Sequence, residues 1–157
     1  MKKELQNKLY KKYPELFVQK DWDMSKTCMC WGICCGDGWF HLIDNLCACI
    51  TSYCKHNKKE IPQLVQLKQK FGSLRVYSDN SNRLVDGMTW LAEHMSENIC
   101  EDCGSIEGIK STTGWIRNLC PSCMKKWEKG EESSYRIRLF FVWIKIKRLF
   151  KCKRRGQ

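Results

Sequence analysis

The chain has 157 residues, 43% of them hydrophobic, which is enough for a packed core in one domain and excludes a disordered polymer. Its net charge of +11 does not make a basic body: nine of the 28 Lys and Arg residues fall in residues 135–157 with no acid among them, leaving residues 1–134 at +2. A long phosphate-tracking surface is thereby excluded for the body, whereas a local pocket for one or two phosphates is not.

In chain order, KELQNKLYKKYP sets Leu5, Leu9 and Tyr13 four apart before Pro14 and predicts a short helix. In CGDGWFHLIDNLCACITSYC, Asp37 stands at the N-cap position. Trp39, Leu42, Ile43, Leu46, Ile50 and Tyr53 follow at helical spacing, predicting a helix over 38–56. QLVQLKQKFGSLRVYSD predicts a two-stranded hairpin over 64–78 turning at Phe71-Gly72. Val65, Leu67, Leu74 and Val76 are then expected on one face, and Lys68, Lys70, Arg75 and Tyr77 on the other. Residues 81–96 form the next predicted helix, with Leu84, Val85, Met88, Leu91, Ala92 and Met95 on one stripe. These elements imply an α+β fold: a small helical core, a short antiparallel sheet and a four-cysteine zinc ribbon or knuckle within residues 1–127. A polar linker over 128–134 and a basic apolar tail over 135–157 follow.

The strongest motif is the pair of Cys-x-x-Cys turns at Cys100, Cys103, Cys120 and Cys123. Each turn presents two thiolates, and two turns close a tetrahedral shell around one structural Zn2+ with no open position for catalysis. Between them, Lys110, Ser111, Thr112, Thr113, Trp115 and Arg117 form a loop that either contacts a partner or makes a plain ribbon hairpin with Trp115 covering the metal. Cys28, Cys30, Cys34 and Cys35 match ligand spacings poorly, so a second metal is left open there. Cys47, Cys49 and Cys54 read as small core residues. Twelve cysteines behind an N-terminal stretch that lacks an export-type apolar run suit a reducing cytoplasm.

The glycine-flanked Asp37, with Trp31 and Trp39 beside it, can cradle an anion on backbone N–H groups and stack a planar ring. It can equally be a glycine turn sealing a core. Combined with Lys68, Lys70, Arg75 and Tyr77, it defines a candidate pocket for a nucleotide-like ligand or a nucleic-acid end. No paired acid, base and nucleophile accompanies it, so a non-enzymatic binding role is expected. An enzyme would have to rest on Cys30, Cys35 or His41. The tail's apolar run, Leu139 to Ile144, is far short of the ~20 residues of a spanning helix but suits a membrane surface.

Through KYPELF, TCMCWGICCGDGW, KQKFGSLRVY and ICEDCG…GWIRNLCPSC, residues 10–126 resemble a group of small bacteriophage and prophage proteins. The resemblance implies a phage accessory protein of the host bacterial cytoplasm, acting by binding a nucleotide-like ligand or a host or defence protein. A zinc-containing nucleic-acid regulator and a membrane-docked inhibitor, peripheral to the inner membrane, are the alternatives.

Overall fold

Alternation of apolar and polar side chains in QLVQLKQK and SLRVYSD produces the first hairpin, β1 (Gln63–Lys70) and β2 (Ser73–Asp79). The computed structural model that contains it describes residues 1–130; the rest of the expected linker, 131–134, and the basic apolar tail, 135–157, lie outside the described residues. Four α-helices are described: α1 (Lys3–Lys12), α2 (Phe40–His56), α3 (Arg83–Ser96) and α4 (Pro121–Glu128). A second, two-residue ladder joins β3 (Lys110–Ser111) to β4 (Asn118–Leu119), so the fold is α+β. No helix among the described residues is long and apolar enough to cross a membrane.

Lys70 pairs with Ser73, so the turn is Phe71-Gly72, as expected. Both residues have positive φ, 53° and 81°, as in the type I′ turn whose twist matches that of two antiparallel strands. Leu67, Gln69, Leu74 and Val76 share the buried face; Lys68, Lys70, Arg75 and Tyr77 share the other. One position departs from strict alternation. The register shifts between Leu64 and Gln66, so Leu64 is fully buried in place of Val65, which the bulge turns aside.

Both edges of this hairpin are covered. On the β1 side, Cys34 forms a parallel bridge with Lys68, and the Leu64 N–H donates to the Leu16 carbonyl. On the β2 side, the Leu74 N–H donates to Ser96 Oγ and the Val76 N–H to Glu93 Oε1, both from α3. Exposed strand edges invite pairing with other chains, and here side chains and a loop use up those groups. The same docking explains a correction on α3. The helix lies beside the strand, so its contact is narrow: Val85 and Ala92 are buried and Met88 is half-buried, while Leu84, Leu91 and Met95 remain 51%, 55% and 48% exposed.

Helix α2 is the spine of the core, burying Leu42, Ile43, Leu46, Cys47, Ile50 and Cys54 on one stripe. Cys49 is on its exposed side and is not a core residue. Its start also differs from expectation: a 3-10 turn, Asp37–Trp39, precedes it, and Trp39 rather than Asp37 holds the N-cap position. A side-chain cap does occur on α3, where Asn82 Oδ1 accepts from the Leu84 and Val85 N–H groups.

Candidate functional site

The two Cys-x-x-Cys turns converge. The Sγ atoms of Cys100, Cys103, Cys120 and Cys123 all lie within 4.8 Å of one another, and those of Cys103 and Cys120 are 3.6 Å apart. Thiolates bound at about 2.3 Å around a tetrahedral ion stand about 3.8 Å apart, so the cluster can hold one metal ion with little adjustment. Cys100, Cys120 and Cys123 are buried and Cys103 is exposed. Burial alone would raise the Cys120 thiol, but hydrogen bonds involving Ser122 Oγ, the Cys123 N–H and the Cys103 and Cys123 thiols bring it down to about 6. Burial and the neighbouring sulfurs push Cys123 up. A cation among the four sulfurs would relieve that mutual repulsion. Among the described residues, this is the one group of three or more metal-ligating side chains close enough to hold an ion; Cys28, Cys30, Cys34 and Cys35 are not gathered into such a group.

Beneath the cluster lies an ion-pair network that the spacing of the cysteines gave no reason to expect. Arg117 Nε donates to Glu101 Oε2 at 2.8 Å and its Nη2 to Asp102 Oδ1 at 2.5 Å, with the Arg117 and Glu101 side chains 2% and 0% exposed. The guanidinium also lies 5.4 Å from the Trp127 ring centre. Burial drives the Glu101 carboxyl upward, and the Arg117 charge and the Gly36 N–H offset only part of that. Arg117 is therefore a structural residue, not a loop contact for a partner. Trp115, which in the plain ribbon alternative would cover the metal, is 56% exposed; Trp127 of α4 packs against the knuckle instead. The signal was present in the sequence as two acids between the first cysteines and a basic residue just before the third.

The glycine pair around Asp37 is seated on this knuckle. The Gly36 N–H donates to Glu101 Oε1 at 3.0 Å and the Gly38 N–H to the Glu101 carbonyl at 2.9 Å. A Cβ on Gly36 would collide with the Glu101 carbonyl oxygen, and one on Gly38 with that of Cys100, so the two backbones meet where no side chain fits. Trp39 is fully buried and its Nε1 donates to the Ile99 carbonyl at 3.0 Å. Asp37 Oδ1 accepts from the Lys2 N–H at 2.7 Å, and its other oxygen faces Lys2 Nζ. Of the two roles open to this segment, an anion cradle and a glycine turn sealing the core, the packing matches the second: it is a joint between α2 and the four-cysteine cluster.

The remaining residues of the expected pocket divide. Cys34 does bring the 28–35 loop against β1 at Lys68, and Trp31 is half-buried in that loop. Arg75 is committed: its Nη1 donates to the Leu74 carbonyl and lies 3.7 Å from Glu93 Oε2. Lys68, Lys70 and Tyr77 stay on the outward face, with the Lys68 ammonium 5.3 Å from the Tyr77 ring centre. The expected pocket is therefore not one cavity: Trp39 is in the core, Asp37 is at the knuckle joint, and only Lys68, Lys70 and Tyr77 form an accessible group.

A different cleft, of about 430 Å³, lies between α2, α3 and the knuckle. Asp37, Phe40, His41, Met95, Asp102 and Cys103 are among its lining residues. The cysteines considered for chemistry are poorly placed for it: Cys35 is fully buried, and burial pushes its thiol up, as it also does for Cys30. No family model, curated protein or solved structure matches the chain.

Proposed function

We propose that the chain is a non-enzymatic accessory binding protein, of the bacteriophage kind it resembles, that holds one structural Zn2+ and engages an anionic partner through the outward face of the β1–β2 hairpin. The observation that carries the reading is the group Lys68, Lys70 and Tyr77, set on a hairpin whose opposite face is buried and whose edges are occupied. With the backbone already engaged, recognition falls to these side chains. Residues 63–77 include no acid, and the Glu93 carboxylate that reaches the hairpin from α3 is engaged by Arg75 and the Val76 N–H, which leaves Lys68 and Lys70 to attract phosphate-bearing ligands. Zinc is favoured because four thiolates in a closed tetrahedral set match its ligand preference. A nucleotide-like ligand or nucleic acid in the host bacterial cytoplasm fits this chemistry.

The test is native mass spectrometry of the full chain from bacterial lysate beside a Lys68→Glu, Lys70→Glu double variant. The expected masses are chain plus one zinc plus an anionic ligand for the parent, and chain plus one zinc for the variant. Equal ligand-free masses together with equal retention on heparin would reject the reading.

A host or defence protein as partner is favoured by a separate observation. Leu84, Trp90, Leu91 and Met95 are all about half exposed or more on α3, and Met95 continues into the cleft beside His41. Leu91→Lys would abolish a complex made there without altering the hairpin face.

A further inference from the structure

Phe71 is doubly costly where it stands. Its φ of 53° is a left-handed conformation that bulky side chains rarely adopt, and the residue is 72% exposed. The first position of a type I′ turn favours Asn or Asp, either of which would suit both the backbone and water better. A second loop tip is fastened beside it. Gln69 Nε2 donates to the Ile116 carbonyl, and Asn118 Nδ2 donates to the Gly72 carbonyl at 3.0 Å. Ile116 Cγ2 lies 3.2 Å from the position a Cβ on Gly72 would take.

The second tip is itself well ordered. Thr112 Oγ1 donates to the Trp115 carbonyl at 2.6 Å and accepts from the Arg117 N–H at 2.9 Å, while the Thr112 N–H donates to the Arg117 carbonyl. On this fixed loop Trp115 is 56% and Ile116 39% exposed. Two tied tips thus expose Phe71, Trp115 and Ile116; Lys70 is exposed just before Phe71, Lys110 is exposed on β3 at the base of the second tip, residues 108–119 hold no acid, and the exposed Glu97 meets the joint through its carbonyl, which accepts from Asn118 Nδ2.

We infer that these paired tips are a membrane-docking surface for anionic phospholipid, with Phe71, Trp115 and Ile116 entering the headgroup–acyl boundary and Lys68, Lys70 and Lys110 meeting lipid phosphates. The inference rests on the proposed anionic partner of the hairpin and names its class. Three observations favour lipid over single-stranded nucleic acid. Ile116 offers bulk to an acyl layer but no ring for a base to stack on. One side of each hairpin ring is already taken by an ammonium, Lys70 at 5.5 Å from Phe71 and Lys68 at 5.3 Å from Tyr77, where a base would have to compete. Finally, an apolar tip with lysines close behind it is the order of polarity that an interface presents along its normal.

The experiment is co-sedimentation of the metal-loaded full chain with vesicles of phosphatidylglycerol and phosphatidylcholine in equal parts, at physiological salt, for the parent, Phe71→Asn, Trp115→Ser and the Lys68→Glu, Lys70→Glu variant. Phe71→Asn suits the turn, so its loss of binding is not loss of folding, and unfolding curves run beside it confirm this. Partitioning is expected to fall about tenfold in Phe71→Asn and similarly in Trp115→Ser. It should fall for the parent on phosphatidylcholine alone. Parent-like partitioning of both aromatic variants overturns the inference. So does loss of binding to a labelled single-stranded oligonucleotide in Phe71→Asn with vesicle binding unchanged, which leaves an anionic partner standing. If the lysine variant also binds vesicles and oligonucleotide as the parent does, the reading of the hairpin face fails with it.

Discussion

Two glycines on this chain illustrate how little residue type says without its surroundings. Gly38 touches the backbone of the cysteine turn, whereas Gly87, in the exposed middle of α3, has nothing within 4 Å of an added Cβ. Gly38→Ala is expected to cost about 3 kcal/mol because a carbonyl oxygen must move. Gly87→Ala is expected to gain about 0.5–1 kcal/mol by restricting the unfolded chain and favouring the helix. Urea unfolding of the metal-loaded variants measures both, and equal effects would refute the assigned seating of the 36–38 turn. Phe71→Asn is expected to gain about 1 kcal/mol by relieving the left-handed turn. In the sequence, Gly36 and Gly38 were legible as places where something approaches closely. What approaches was not, because a cradle for a phosphate and a seat for another backbone require the same missing Cβ.

Elements were legible where a short-range pattern decides them. The hairpin turn and the outward set Lys68, Lys70, Arg75 and Tyr77 followed from alternation and from a glycine in the turn, so they emerge where expected. The stripe on α3 was only half legible, since periodicity shows which residues share a side but not how wide the neighbouring surface is. Helix α1 illustrates how a helix is fastened by charge across an interface. Asp44 of α2 accepts from Lys12 Nζ at 2.9 Å and from the Tyr13 hydroxyl at 2.8 Å. Burial acts to raise the Asp44 carboxyl, but those two hydrogen bonds outweigh it and hold the group below the ordinary carboxylate range. Because its folded pKa is the lower one, this contribution is complete above the unfolded value near ~4 and is lost as pH falls through the folded value. Asp44→Asn keeps an oxygen to accept from Tyr13 but turns that charge-assisted bond into a neutral one and removes the charge facing Lys12, so it should cost about 1 kcal/mol at neutral pH and flatten the decline in stability below pH ~4. An unchanged acid limb in a pH series of denaturant midpoints would remove Asp44 from the account.

Across the described residues, the four-cysteine cluster is tied to parts of the chain far away in sequence. Gly36 and Gly38 bond Glu101, Trp39 bonds Ile99, and Asn118 bonds Gly72. Chelating the metal is therefore expected to expose the Gly38 amide and the indole N–H of Trp39 to hydrogen exchange as well as the knuckle itself, whereas α1 and the middle of α2 keep their protection longer. A knuckle that loosens alone would show that the joint does not transmit its order. Replacing Arg117 by Met, which strands the buried Glu101 carboxylate, should cost about 3–5 kcal/mol even with metal bound.

The joint also imposes an order of events during synthesis. A ribosome delivers the Gly36–Trp39 turn long before Glu101, Ile99 and the last sulfur at Cys123. The start of α2 therefore waits, through most of translation, for a seat not yet made. The chain cannot finish its first half until it has begun its second, and a metal ion could be held by all four sulfurs only once Cys123 is made. In a metal-starved cell, nascent protein would stall at that stage with Trp39 uncovered, a form suited to recognition by proteases. If the four sulfurs hold an ion, the amount of protein a cell accumulates should follow its supply of free metal, a relation that pulse-labelling across a chelator titration would trace.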